Sequence, residues 1–333
     1  MTSRAFRGTA FAALLFLLVQ LGALALIPAF QANGYQQFEN PQDPTNSLVY
    51  VGLILVMTVL MLAAFKYGYD WVVRAFVVFT SGLLAWYVLG VFLPGVVAIP
   101  ASALVAVALW VYPEWYVIDA AGVVMGAGAA GLFGISFGLL PAILLLAVLA
   151  VYDAISVYGT EHMLDLAEGV MDLRIPVVLV IPLTLGYSIL PDDEEEDGEA
   201  EESDDESADE TDSHDEEAST PADEAAVEGE GEAIDERDAF FIGLGDAVMP
   251  TVLVASAAQF LDAGSLGFAP IPALNVPALT AMVGTFVGLL ILLRMVFAGR
   301  AHAGLPLLNG GAIGGYLIGA LAVGVPLTTA LGL

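Results

Sequence analysis

The sequence predicts an all-α polytopic membrane protein with nine transmembrane helices and a disordered acidic loop on the cytoplasmic side. Hydrophobic residues make up 58% of the 333 residues, and the mean hydropathy is +0.82. A soluble enzyme has an apolar fraction nearer ~45–50%. Apolar runs of about twenty residues, the length that crosses a ~30 Å hydrocarbon core, recur along the chain. The charge is confined to one region, because residues 191–238 hold 26 of the 38 acidic residues and one of the eight basic ones.

Nine apolar runs are long enough to be read as membrane spans. They cover approximately residues 8–30, 47–65, 71–93, 94–113, 115–136, 139–158, 239–261, 275–297 and 304–327. The first run follows Arg4 and Arg7 and has the general form of a signal peptide. It is too long for a typical signal core and lacks a clear small-residue cleavage site, so we predict that it remains as a span.

The basic residues set the predicted orientation, because Lys and Arg favour the cytoplasmic ends of membrane helices. With the N-terminus inside, all eight basic residues fall on the cytoplasmic side. The C-terminus is then outside. A tenth span over residues 175–190 would reverse the orientation of everything after it. That run has sixteen residues and contains Pro182, so it is short and a poor helix former. We predict an extended strand there, near the inner membrane face.

Four regions follow from this topology. Residues 1–158 carry spans 1–6, and residues 239–333 carry spans 7–9. Residues 159–190 contain the strand-like segment, preceded by an amphipathic helix over 160–174 that we expect to lie at the interface. Residues 191–238 are acidic and nearly devoid of apolar residues, which predicts disorder. The strong acidity argues against nucleic acid as a partner. Together with the single lysine, it suggests an extreme halophile.

Two carboxylates stand out because ionisable groups within a bilayer are costly and mark functional sites. Most acids outside the acidic tract lie in loops, at span ends or in the interfacial helix, and Glu114 and Asp119 are read as belonging to that group. Asp153 lies in span 6, and Asp246 lies in span 7. At 1.5 Å per residue, these two positions are roughly 8 and 10 Å below the inner face. Consecutive antiparallel helices would therefore bring both carboxyl groups to one level.

Two chemistries use such a pair. Two carboxyl groups a few ångströms apart in a low-dielectric site share a proton, so one member can activate water while the other protonates a peptide carbonyl. This arrangement suits aspartyl peptide hydrolysis without any cofactor or metal. The alternative is a cation channel or proton-coupled transporter, which also uses paired membrane acids. The chain has no cysteine, which excludes thiolate catalysis and cysteine-ligated metals.

The motifs around the two aspartates favour hydrolysis. Tyr152 precedes Asp153, and the sequence Gly243-Leu244-Gly245-Asp246 forms a GxGD motif. In these motifs, their adjacent spans and the long loop between them, the chain resembles the presenilin and signal-peptide-peptidase family of intramembrane aspartyl proteases. It is most similar to archaeal, haloarchaeal-type members. The resemblance implies that Asp153 and Asp246 are catalytic and that Tyr152 and the Gly243–Gly245 backbone support them.

The resemblance also implies a third motif, Pro-Ala-Leu, at the start of span 9. The matching residues are Ala303, Gly304 and Leu305, followed by Pro306, so the leading proline is replaced. Their substrate-positioning role is therefore left open. Intact Pro-Ala-Leu triplets occur at residues 272–274 and 277–279. They lie at the outer end of span 8, and we predict that they are far from the carboxylates.

The expected activity is endoproteolysis within the membrane segments of single-span proteins in the cell membrane. A substrate helix has to unwind locally, and the strand-like segment around residues 177–180 is the expected place where its backbone adds to a sheet, as the resemblance implies. The expected partners are transmembrane proteins or peptides and the lipid bilayer. The sequence leaves the formation of a homo-oligomer open.

Overall fold

The described chain consists of ten α-helices and one two-stranded antiparallel sheet. The structure, a computed structural model, describes residues 3–159, 177–184, 187–189, 239–297 and 303–333. Its elements are α1 Ser3–Ala32, α2 Thr45–Lys66, α3 Asp70–Phe92, α4 Gly95–Val111, α5 Trp115–Ser136, α6 Leu139–Gly159, β1 Val178–Pro182, β2 Ala239–Gly243, α7 Leu244–Phe260, α8 Val276–Val296, α9 Gly304–Ala322 and α10 Leu327–Ala330. The predicted interfacial helix over 160–174 and the acidic loop over 191–238 lie outside the described residues.

Seven helices of the described chain are long and apolar enough to cross a membrane, namely α1, α2, α3, α5, α6, α8 and α9. The helices α4 and α7 are also apolar but have 17 residues each. At 1.5 Å per residue each is about 26 Å long, slightly less than a typical hydrocarbon core. The architecture is therefore that of a polytopic helical membrane protein, and the count of nine spans stays a prediction.

The start of span 7 differs from the sequence-based prediction of a helix from residue 239. Residues 239–243 form β2, which pairs with β1 so that Val178 lies opposite Gly243 and Pro182 lies opposite Ala239. The aromatic and β-branched residues at 240–242 favour a strand, and a glycine follows them. The fold is thus not purely helical. β1 falls inside the segment 175–190 where an extended strand was expected, and α7 begins two residues before Asp246.

The helices α5 and α7 lie at the centre of the bundle. α5 is the most buried of the seven candidate spans, and eleven residues of α7 are buried. Small residues allow this central packing. Gly134 of α5 lies directly against Ala255 of α7, and Gly131 of α5 lies against Phe30 of α1. Membrane helices associate closely where small residues let their backbones approach, so Gly134 positions α7 on α5 and Gly131 positions α1.

The helix α2 is at the opposite extreme, because it buries only Ser47. The Ser47 hydroxyl donates a hydrogen bond of 2.6 Å to the Pro141 carbonyl and ties α2 to α6. Its large apolar side chains are exposed, among them Leu48, Val49, Leu53, Val56, Val59 and Leu60. A surface of this kind is unfavourable in water and suits contact with lipid or with an apolar partner.

The helices α8 and α9 pack backbone to backbone through glycines. A side chain at Gly311 would overlap the Gly284 carbonyl, and one at Gly315 would overlap the Thr280 carbonyl. The sequence predicts close packing for all five glycines of span 9, at positions 310, 311, 314, 315 and 319. The structure places only 311, 315 and 319 against α8, while Gly310 and Gly314 face open space.

The difference between neighbouring glycines gives a testable prediction for α9. Gly311→Ala would force the added methyl group into the Gly284 backbone, and overpacking of this kind costs about 1–3 kcal/mol. We expect a lower thermal unfolding temperature in detergent. Gly314→Ala is the matched control, because nothing lies within 4 Å of its added methyl group. Equal unfolding temperatures for the two variants would contradict the α8–α9 packing.

Candidate active site

Asp153 lies in α6, six residues before the helix ends. Only 6% of its surface is exposed. Its Oδ2 accepts a hydrogen bond of 3.0 Å from the backbone N–H of Leu305, the second residue of α9. The first N–H groups of a helix have no partner within that helix. Asp153 therefore satisfies one of the free donors of α9, in the way that a capping residue does.

Asp246 lies in the first turn of α7, immediately after β2, and is partly buried. Gly304, the first residue of α9, approaches it closely. A Cβ atom added to Gly304 would lie 2.9 Å from Asp246 Oδ2 and 3.3 Å from its Cγ. No side chain fits between this backbone and the carboxyl group without a shift of one of them. A larger residue at position 304 would therefore shift the Asp246 carboxyl group or the start of α9.

The two aspartates thus meet at the start of α9. Gly304 contacts Asp246, and the next residue, Leu305, is hydrogen-bonded to Asp153. Because Gly304 and Leu305 are neighbours in the chain, the two carboxyl groups lie close to one another. The amino end of a helix carries partial positive charge, so the start of α9 favours a negative charge on this pair.

The flanking residues fix the α9 start in place. The backbone N–H of Ala303 lies 3.4 Å from the Tyr158 hydroxyl, which accepts its hydrogen bond. Pro306 follows in the first turn of α9, where its missing N–H removes only a donor that has no partner within the helix. The segment 303–306 therefore lies beside both aspartates, although its sequence departs from Pro-Ala-Leu.

The GxGD segment holds Asp246 through Leu244 more than through its glycines. The Leu244 N–H donates to the Val177 carbonyl at 2.7 Å, and its buried side chain packs against Gly122 and Gly126 of α5. Gly243 lies near the Asp246 carboxyl, whereas Gly245 faces open space. Leu244 is the middle residue of the motif, and it anchors α7 to the centre of the bundle.

Two other features surround the pair. Tyr152, the residue before Asp153, is partly buried on α6. Pro250 lies inside α7, four residues after Asp246. Proline has no N–H to donate, so the helical hydrogen bond to the Asp246 carbonyl is missing.

The intact Pro-Ala-Leu triplets lie far from this site, as predicted. Asn275 caps α8 just before the second triplet, and its amide donates to the carbonyls of Ala257 and Leu261 at the end of α7. Ala257 is eleven residues beyond Asp246, which is about 16 Å along a helix. The triplets are thus at the opposite end of α7.

Two acids that the sequence assigned to span ends have structural partners. Glu114 accepts hydrogen bonds from the Ser188 hydroxyl at 2.6 Å and from the Trp115 N–H at 3.3 Å. Asp119 accepts the Val180 N–H at 2.8 Å and is 3% exposed. Asp119 is four residues inside its predicted span, almost as deep as Asp153. The depth criterion that selected Asp153 would have selected Asp119 too.

The comparisons with known proteins agree with this geometry. The family model described as signal-peptide peptidase, presenilin aspartyl protease matches residues 13–325. The chain belongs to this family. Membership makes it an aspartic endopeptidase of the membrane, a hydrolase, and a multi-pass membrane protein.

Solved structures of the family are similar over nearly the whole chain. A presenilin family intramembrane aspartate protease in space group C222 has a TM-score of 0.62 and 32% sequence identity, covering 94% of this chain and 99% of that one. The P2 structure of a presenilin family intramembrane aspartate protease has a TM-score of 0.59 and 32% identity, covering 93% and 96%. Among curated proteins, none matches significantly. The haloarchaeal assignment stays a prediction.

The contact between Gly304 and Asp246 gives a second prediction. Gly304→Val should displace the Asp246 carboxyl group or the start of α9, and a misplacement of about 1 Å at a reacting group costs about 10²-fold in rate. We expect kcat/KM for peptide cleavage to fall by that order while the unfolding temperature changes little. Gly310→Val, on the open side of the same helix, should keep its activity. Full activity of Gly304→Val would show that this contact is not required.

Proposed function

We propose that Asp153 and Asp246 are the catalytic pair and that the protease cuts peptide bonds within the transmembrane segments of single-span proteins. The observation that supports this most strongly is their shared position at the start of α9. Gly304 touches one carboxyl group and Leu305 donates to the other. Family membership indicates that the reaction is aspartyl peptide hydrolysis. The positions of Asp153 and Asp246 match the YD and GxGD motifs of that family.

The proposed mechanism is general acid–base catalysis by two carboxyl groups that share one proton. The ionised member removes a proton from a water molecule, whose oxygen attacks the carbonyl carbon of the scissile bond. The protonated member donates its proton to the carbonyl oxygen, which gives a tetrahedral diol. The amide nitrogen then takes a proton as the C–N bond breaks, and the products are a carboxylic acid and an amine. No covalent enzyme intermediate forms.

We propose nine spans, with α4 and α7 as the two short ones. Arg74, near the start of α3, donates to the carbonyl of Trp110 near the end of α4 at 2.9 Å, and its guanidinium lies 5.1 Å from the Trp110 ring centroid. This contact brings the start of α3 level with the end of α4, as expected for two antiparallel spans.

The extent of α7 is supported in a similar way. The Ser256 hydroxyl donates to the Phe137 carbonyl at 2.8 Å, which puts the end of α7 beside the turn between α5 and α6. Its first residue, Leu244, is held by Val177. The five residues of β2 add about 16 Å of extended chain before the helix. Together β2 and α7 are long enough to reach from one membrane face to the other.

We propose that the substrate pairs with β2 and not with the residues 177–180 that the sequence favoured. In an antiparallel ladder, alternate residues point their N–H and C=O groups toward and away from the partner strand. The Leu244 N–H donates to the Val177 carbonyl. The backbone N–H and C=O groups of Phe241 and the N–H of Gly243 therefore point away from β1. On β1 the outward Val180 N–H is already bonded to Asp119, and Pro182 has no N–H. Within the part of the chain that the structure describes, the outward N–H groups of Phe241 and Gly243 are without a partner, so an unwound substrate could bond β2 there, just before Asp246.

Substitution of either aspartate tests the proposed function. Asp153→Asn and Asp246→Asn keep the size of the side chains but remove the carboxyl groups that transfer protons. Each should lower cleavage of a single-span substrate by at least about 10²–10⁴-fold, because both groups act in one step. The assay uses purified protein in liposomes at high salt, with products identified by mass spectrometry.

Asp43→Asn is the matched control, since this partly exposed aspartate accepts the Thr45 N–H at the start of α2 and lies outside the candidate site. Cuts inside the apolar segment that persist in either active-site variant would contradict the assignment. Ion flux that depends on Asp246, in vesicles where no peptide is cut, would favour the channel or transporter instead.

The orientation is tested with single cysteines, because the chain has none of its own. With the N-terminus in the cytoplasm and nine spans, Leu333→Cys should react with an impermeant maleimide added outside intact cells. Ser3→Cys should react only after the membrane is permeabilised. Labelling of both termini from the same side would contradict an odd number of spans. The proposed orientation also predicts that substrates with their N-terminus outside are preferred.

A further inference from the structure

We propose that Asp119 of α5 is a positioning residue that sets the register in which a substrate strand is presented to Asp153 and Asp246. This inference rests on the proposed function and extends it to a residue outside the three family motifs. Asp119 touches neither aspartate of the pair in this scheme. Asp119 acts by holding the β1–β2 sheet in place.

The carboxyl group of Asp119 holds the middle of β1. Its Oδ1 accepts the Val180 N–H at 2.8 Å, and the side chain is 3% exposed. The Val180 N–H points away from β2, so the carboxyl oxygen occupies the place that a carbonyl of a third strand would take. One turn further along α5, a Cβ atom on Gly122 would lie 3.0 Å from the Leu179 side chain. β1 thus lies directly on α5.

This contact occupies the middle of one edge of the sheet. Of the three outward positions of β1, Val180 has its N–H bonded to Asp119 and Pro182 has no N–H, which leaves Val178 as the one further donor of that edge. On β2 the N–H groups of Phe241 and Gly243 point outward and have no partner among the described residues. A strand that adds to the sheet is therefore directed to β2, which leads into Asp246 within three residues.

The register of the sheet then determines which peptide bond is cut. Consecutive strand residues are about 3.3 Å apart, and the alternation of the ladder allows slips of two residues, about 6.6 Å. Asp119 opposes the slip that would bring Pro182 to the place of Val180, because proline has no N–H to donate to the carboxyl oxygen. β2 is paired to β1 over five residues, so holding β1 on α5 also holds in place the strand that would bind the substrate.

The second carboxyl oxygen of Asp119 distinguishes a positioning role from simple packing. Asp119 Oδ2 is buried and has no hydrogen-bond partner among the described residues. Leaving such an atom unpaired is unfavourable for stability, so a group of this kind points to a role other than stability. Glu114, the N-cap residue of the same helix, uses both oxygens to bind the segment after β1. Glu114 is therefore the matched control for a purely structural acid.

The test compares Asp119→Ala, Asp119→Asn and Glu114→Ala in the liposome assay with a single-span substrate. Asp119→Ala should raise KM about tenfold, the effect of one lost hydrogen bond, with kcat nearly unchanged. Its products should spread to bonds two residues from the wild-type cut. Asp119→Asn keeps an oxygen that can accept the Val180 N–H and should restore the wild-type cut. Glu114→Ala should lower the unfolding temperature but leave the cut position unchanged.

Hydrogen exchange supplies a readout that does not depend on activity. In the wild type the Val180 N–H should exchange slowly with solvent, and in Asp119→Ala the peptide containing Val180 should exchange faster while α5 peptides do not. A fast-exchanging Val180 in the wild type overturns the inference even if the alanine variant fails to fold.

Two further outcomes are distinguishable. An active wild type with unchanged KM and cut position in Asp119→Ala overturns this inference alone. A folded wild type that cuts no substrate overturns the proposed function, and the inference with it.

Discussion

The contact of the α9 start with both aspartates is the constraint on which the rest of the structure depends. A carboxyl group within a membrane helix is costly unless it is given donors or charge. The beginning of α9 supplies a donor and partial positive charge. The Leu305 N–H bonds Asp153, and Gly304 approaches Asp246 closely. The α8–α9 glycines hold α9 at the required position, because their backbones touch. A small displacement of α9 would separate the pair from its only described backbone donor.

The β1–β2 sheet also determines the position of Asp246, independently of α9. Leu244 is bonded to Val177 and packed on the α5 glycines, so α7 begins at a position set by β1 and by α5. α5 is itself held by Glu114 and Asp119 to the segment that contains β1. The central helix, the sheet and the GxGD motif are therefore one connected unit. Rigid support of this kind is what a site needs when its reacting groups have to be held within a fraction of an ångström.

Much of this arrangement follows from the sequence, since long apolar runs have few alternatives to helices in a bilayer. Depth alone would select Asp119 as well as Asp153 and Asp246, and only the YD and GxGD motifs single out the latter two. The strand at 239–243 is missed because Phe240 and Ile242 are as apolar as a span, and only pairing with β1 decides their conformation. The steric role of Gly304 and the partner of Asp119 depend on contacts between distant segments. No local sequence pattern indicates such contacts.

The central claim is that Asp153 and Asp246 meet, and it is tested most directly by cross-linking. Asp153→Cys and Asp246→Cys, combined in this cysteine-free chain, would be oxidised in membranes and then digested with a glutamate-specific protease in the 191–238 tract. Leu140→Cys with Gly332→Cys is the positive control, because a Cβ atom on Gly332 would lie 3.3 Å from that of Leu140. We expect both pairs to keep the two halves together on a non-reducing gel. A cross-link in the control pair but none between positions 153 and 246 would contradict the account.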